Sequence, residues 1–301
     1  MSNELKTYGG QAVIEGVMMR GQQTCAVAVR APDDTVQVEF FPLGSLYRSR
    51  LAKLPFLRGL VVLWDALGLG MKALTYSANM QVEDDEETIE GASFWLTMLA
   101  SFAIALGFFF LLPAGVAFLI ESPLGLSGWQ VNLVEGVIRL VLLVAYIGGI
   151  GRMPDIERVY GYHGAEHKTI NAFEADAPLT VEGVRPFSRE HPRCGTAFLL
   201  TVVILSILLF TLLGPMPLLP RLASRLLLIP VLASLAYEYL RITSRYADRP
   251  WMKPLIAPNL MIQRLTTREP EDGMIEVAIQ AFKAMRSAEA ETPEKPEALA
   301  A

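Results

Sequence analysis

The sequence predicts an α-helical multi-pass membrane protein with four transmembrane helices in two hairpins, an amphipathic helix, and a small cytoplasmic β-hairpin and metal-motif region. Three observations predict it. Apolar residues make up 52% of the chain, charged residues 19%, and the mean hydropathy is +0.36, whereas a soluble domain carries about a quarter charged residues. The apolar residues fall into four blocks close to the ~20 residues that a helix needs to cross the hydrocarbon core. Lys and Arg are abundant on one side of those blocks and sparse on the other.

The first block runs from Phe94 to Ile120, with Pro113 an expected kink. The second, Val131 to Ile150, carries Glu135 and Arg139 one helical turn apart, the spacing of an intramembrane ion pair. The third is Thr196 to Leu213. The fourth, Ala223 to Ile242, holds Pro230 and has Glu238 near its end. Links of about ten residues join the first to the second and the third to the fourth, which makes two hairpins.

Residues 1–92 hold eight Lys and Arg, among them Arg20, Arg30, Arg58 and Lys72, and residues 151–195 hold Arg152, Arg158, Lys168, Arg185, Arg189 and Arg193. The first link has none. The second has Arg221, with Arg225 at the start of the next helix. The excess of positive charge predicts that both termini and the 151–195 segment face the cytoplasm. The first fifteen residues include Glu4, Lys6 and Glu15 and lack the apolar core of a signal peptide.

Outside the blocks, residues 1–53 combine a glycine-rich stretch, Gly9 to Gly21, with a hairpin signal. Thr24–Arg30 and Thr35–Phe41 alternate like strands and are joined by Ala31-Pro32-Asp33-Asp34. Residues 54–92 contain an amphipathic helix and an acidic linker. From Leu54 to Leu74 the charges Arg58, Asp65 and Lys72 recur every seven residues, on one narrow stripe. A helix on the membrane surface with that stripe toward water is expected; the alternative is a partly inserted helix whose stripe lines a polar site. Residues 93–150 and 196–242 are the two hairpins, 243–285 a cytoplasmic segment, and 286–301, rich in Ala, Glu and Pro, a disordered tail.

The chemistry is concentrated in 151–195. All three histidines of the chain lie there, in Tyr162-His163-Gly164-Ala165-Glu166-His167-Lys168 and His191-Pro192-Arg193-Cys194-Gly195. His163 and His167 are four apart, so on a helix both imidazoles leave one face and can meet one metal ion. His163-x-x-Glu166-His167 has the spacing of the inverted zinc-protease motif, in which the acid between the two ligands is the general base. His191, before Pro192, and Cys194, before Gly195, make a loop-borne ligand pair just ahead of the third block. Glu174 shares the histidine face but is about 16 Å along the axis from His163, so it suits a loop-anchoring role. Glu15, the single acid of the glycine-rich stretch, is a candidate extra ligand or acid.

Blander readings compete. The histidines can be interfacial residues of an amphipathic helix, Cys194 a small buried side chain, and Glu166 an ion-pair partner of Lys168. The two cysteines, Cys25 and Cys194, form no disulfide framework and fit a reducing cytosol. A net charge of −5 with dispersed basic residues excludes a nucleic-acid partner. Membrane lipids are the expected surroundings, and a protein partner or oligomer stays open.

Four motifs together carry a resemblance to the YqhQ-type bacterial membrane proteins, the domain of unknown function 1385, grouped as metal-dependent enzymes. They are Gly9–Gly21, Tyr162–Lys168, His191–Thr196 and Leu265-Thr-Thr-Arg-Glu-Pro270. The resemblance covers residues 7–283. It implies a multi-pass bacterial membrane protein and supports a metal at His163, His167, His191 and Cys194. Sulfur with imidazole favours zinc over iron or manganese. The expectation is a zinc-dependent hydrolase at the membrane interface with Glu166 as base. A structural metal site in a membrane scaffold or assembly factor is the alternative, and a transporter comes third.

Overall fold

The structure, a computed structural model, describes residues 8–44, 49, 52, 54–82, 92–214, 216–247 and 249–291. The acidic linker from residue 83 and the end of the chain from residue 292 lie outside the described residues. Strands β1 (Gly9–Val13), β2 (Gly16–Arg20), β3 (Thr24–Arg30) and β4 (Val36–Pro42) form one antiparallel sheet in that order. Helices follow: α1 (Leu57–Asn79), α2 (Ala92–Leu106), a π turn (Gly107–Leu111), α3 (Leu112–Glu121), α4 (Gly128–Ile150), α5 (Pro154–Glu174) and α6 (Val181–Val184). The last are α7 (Thr196–Leu213), α8 (Leu218–Leu227), α9 (Ile229–Arg245), α10 (Lys253–Thr266) and α11 (Asp272–Glu291).

The expected β3–β4 hairpin forms. Asp33 accepts from the Thr35 N–H at 3.0 Å in its turn, and Asp34 adopts φ 68°. The glycine-rich stretch supplies two more strands, closed by the two-residue turn Ile14-Glu15. Strand β3 is buried on both faces. Ala26 and Ala28 pack toward Tyr162 and Ala165 of α5 and Ile275, Ala278 and Phe282 of α11. Cys25, Val27 and Val29 pack toward Leu69 and Ala73 of α1. Alternation at period two sorts small residues to the face where helices approach and larger ones to the other.

The stripe on α1 does not face water as expected. Asp65 is 7% exposed and accepts from Arg20 at 2.6 Å and from the Gly44 N–H at 3.0 Å. Arg58 Nε donates to Glu238 of α9 at 2.7 Å. Only Lys72 of the three is exposed, while Trp64 is 72% and Leu67 56% exposed. Oppositely charged partners on the sheet and on α9 drew the stripe inward, leaving the apolar face outward. The expected tail also differs: α11 continues to Glu291, with Met285 fully buried and Arg286 stacked 4.8 Å over Phe173.

Among the described residues, three helices are long and apolar enough to cross a membrane: Phe94–Glu121, Gly128–Ile150 and Thr196–Leu213. The fourth block is α8 and α9, bent by 45° at Leu228, and makes a fourth span if the pair counts as one. Pro230 explains the break, because its ring clashes with the carbonyl four residues back, at Leu226, and it has no N–H to donate. Pro113 acts more subtly. Without its N–H, the Phe109 carbonyl inside the π turn is free to accept Arg139 Nε at 2.9 Å.

Arg139 belongs to a closed polar network inside this bundle. It donates to Glu135 at 2.7 Å, the expected pair, and to Ser206 of α7 at 2.7 Å. Arg225 of α8, which the sequence places at the start of the fourth block, enters the same network. It contacts Glu135 at 2.6 Å and Asn132 at 2.8 Å and stacks 4.2 Å over Phe210. Glu135, Arg139 and Arg225 are each 1% exposed.

Candidate metal centre

Helix α5 starts three residues after α4 ends, with Pro154 at its first turn and Asp155 and Glu157 facing the positive end of its dipole. It crosses close to the chain after α10: a Cβ on Gly164 would lie 2.2 Å from the Arg268 carbonyl oxygen. Glycine there allows an approach that brings the Thr266 carbonyl within reach of the histidine face.

His163 and His167 stack edge-on with ring centres 4.4 Å apart. Each is tethered at Nδ1 by a main-chain carbonyl, His163 by Thr266 at 2.8 Å and His167 by Arg189 at 2.7 Å. Both Nδ1 atoms therefore carry the proton, and both Nε2 lone pairs are available. His163 Nε2 lies 3.3 Å from the sulfur of Cys194, and the ligand atoms of His163, His167 and Cys194 all lie within 4.8 Å of one another. Two imidazoles and a thiol, held by backbone from α10 and the 175–195 loop, fit a borderline-soft ion such as zinc and leave a fourth position.

His191, expected as a ligand, stands beside this group and not in it. Its ring centre is 5.8 Å from that of His167. Its Nδ1 faces the Arg193 N–H at 3.4 Å, and its Nε2 faces Glu174 at 3.5 Å. The Gln263 side chain grips its backbone from both directions, accepting from N–H at 2.9 Å and donating to C=O at 3.0 Å. The buried Nε2 of His191 makes no hydrogen bond among the described residues. Glu174 anchors the loop as expected, through His191 and Arg193. Glu15 lies outside the cluster. It sits at φ 49° in the β1–β2 turn, paired to Arg158 at 2.6 Å and accepting from Tyr162 at 3.1 Å, and Arg158 holds its carboxyl below the usual range.

Glu166 is buried next to the cluster and does not pair with Lys168, which bonds Glu269 and the Arg185 carbonyl instead. Glu166 Cδ lies 2.9 Å from the Cβ position of Gly10, and its Oε2 has no hydrogen-bond partner among the described residues. Burial raises its pKa, against the opposing pull of His163 and His191. Burial likewise lowers that of His167. The sequence reading missed Gln263, Thr266 and Gly10; two of the three lie at or beside quoted motifs, Gly10 in Gly9–Gly21 and Thr266 in Leu265–Pro270.

Burial also lowers the pKa of His191 from the usual 6.5 to about 4. The folded state then binds fewer protons than the unfolded state between those values, so stability is intact above pH 6.5 and falls as pH drops toward 4. The gap corresponds to roughly 3 kcal/mol. Urea unfolding between pH 7 and 4 checks this: His191→Gln is expected to flatten the acid loss, and an unchanged pH slope contradicts it.

Residues 54–288 match the family described as "Protein of unknown function (DUF1385)". Over 299 residues the chain is 36% identical to "Uncharacterized protein YqhQ" of Bacillus subtilis (strain 168), covering 94% of this chain and 93% of that protein. No solved structure matches.

Proposed function

The chain belongs to the DUF1385 family, and from that premise we propose that it is a bacterial plasma-membrane protein carrying a cytoplasm-facing zinc site, a metal-dependent hydrolase working at the membrane interface. One observation carries the reading: two histidines, each tethered at Nδ1 by a backbone carbonyl, turn their Nε2 atoms toward one cysteine sulfur. The position supports the interface. The ligand helix α5 follows the candidate span α4 after a three-residue link, and Cys194 lies two residues before the candidate span α7. Orientation rests on the Lys and Arg distribution.

His163, His167 and Cys194 would hold the ion. Bound zinc supplies Lewis acidity and brings the pKa of a coordinated water toward neutrality. Glu166 does the proton work. Its unpartnered Oε2 is open to a proton, and burial gives it an affinity above that of an ordinary carboxylate. Thr266 and Arg189 orient the two imidazoles.

The competing reading is a structural metal that staples the 175–195 loop to α5 in a non-enzymatic scaffold. The depth of His167, 1% exposed, and Cys194, 7% exposed, favours it. For both readings the first test is elemental analysis of the full chain purified in detergent without added metal. About one zinc per chain is expected, lost in His163→Ala and in His167→Ala. Absence of stoichiometric metal in the unaltered protein overturns both.

A further inference from the structure

Strand β1 ends the sheet and, among the described residues, pairs only with β2. Val13 and Gly16 close the two-residue turn, so they form a hydrogen-bonded pair. Alternation then aims the main-chain groups of Gln11 and Gly9 at β2 and those of Gly10 and Ala12 away from the sheet. The Gly10 C=O and both main-chain groups of Ala12 have no partner among the described residues.

This edge is open and smooth. Gly9, Gly10 and Gln11 are exposed, and a Cβ on Gly9 would meet no atom within 4 Å. Glycine in an edge strand marks a place where another backbone can approach closely. The edge also runs directly onto the proposed chemistry. The Cβ position of Gly10 is 2.9 Å from Glu166 Cδ, and the buried Oε2 of Glu166 has no hydrogen-bond partner among the described residues.

We propose that this edge binds an extended polypeptide as a fifth strand, making polypeptide the substrate class of the site. The inference rests on the hydrolase reading above. An added strand supplies the donor and acceptor row that Gly10 C=O and Ala12 present, in the way peptides extend exposed sheet edges elsewhere; an acyl chain supplies neither. Docked there, the peptide carries a main-chain carbonyl past Glu166. Water adds its oxygen to that carbonyl carbon, Glu166 takes one proton from the water and passes it to the departing amide nitrogen, and the C–N bond breaks. Water and one peptide bond become a carboxylate and an amine.

The test uses the full chain in detergent as Glu166→Gln, exposed to a pool of short unstructured peptides bearing a photo-crosslinker, with crosslinked residues mapped by mass spectrometry. Crosslinks are expected within residues 9–13. Backbone N-methylation of the peptide should weaken capture at alternate positions only, roughly tenfold for each lost hydrogen bond. Ala12→Pro, which removes an N–H that β2 does not use, should reduce capture similarly with zinc content unchanged. Capture elsewhere, no capture, or equal sensitivity at every methylated position overturns the proposal. Separately, unaltered protein is assayed for cleavage of the same peptides and of phospholipid vesicles. Peptide capture without cleavage leaves the edge and removes the hydrolase; lipid hydrolysis without peptide capture removes the edge and leaves the hydrolase.

Discussion

Replacing Glu166 with glutamine is expected to leave about one zinc per chain in place and to lower hydrolysis by roughly 10²–10⁴-fold, the usual contribution of a positioned acid–base group. Zinc should stay because Glu166 is not among the three clustered ligands, and neither tether at Nδ1 passes through it. Activity should fall because an amide cannot accept the proton. The fold should not suffer: glutamine keeps the volume, and it removes a carboxylate whose ionisation burial opposes. Thermal unfolding is therefore expected at the same or a higher temperature. Lower activity with equal or greater stability marks a group retained for chemistry. If Glu166→Gln keeps its zinc and cleaves as before, the base role is wrong and the structural metal site is the better reading.

Glu135→Ala is the second large effect. A single carboxylate faces two guanidiniums at 2.7 and 2.6 Å, all three residues 1% exposed. Removing it leaves Arg139 and Arg225 buried beside each other without a counter-charge. Breaking a buried pair from one side costs about 3–5 kcal/mol, which corresponds to roughly 6–10 °C in unfolding temperature at about 2 °C per kcal/mol. The remaining contacts to Ser206, Asn132 and the Phe109 carbonyl do not neutralise that charge. Replacing all three charges together, as Glu135→Leu, Arg139→Met and Arg225→Met, should recover most of the loss, because apolar packing removes the desolvation cost along with the attraction. Unfolding of Glu135→Ala within about 1 kcal/mol of the unaltered protein would show that the network contributes specificity but little stability.

Much of the bundle was legible because its signals are local. Three apolar blocks survive as long helices with ends within a few residues of the expected ones. Pro113 and Pro230 both perturb the backbone where proline must, although one yields a π turn and the other a 45° bend. The β3–β4 hairpin followed from its turn residues. The β1–β2 hairpin did not, because Gly9, Gly10 and Gly16 have low strand propensity and their pairing is stabilised by what packs on them. On α1 the charge stripe was found but its direction was not, since the partners Arg20 and Glu238 lie 45 and 180 residues away in sequence.

The candidate site divides in the same way. By itself the sequence determined which residues could bind metal on one helix face: a spacing of four between His163 and His167 is a property of helical geometry alone. It also determined that Glu166 travels with them and that Cys194 arrives just before an apolar helix. Only the tertiary structure decided that Cys194 joins the cluster and His191 does not. There Gln263, 72 residues from His191, holds its backbone, and the ring lies between His167 and Glu174. It decided equally that Glu166 meets Gly10 at an open sheet edge and that Arg225 closes the Glu135 network. Periodicity fixes what one element presents on its own face; which faces meet depends on packing across the whole chain, where pairs distant in sequence compete for each buried polar group.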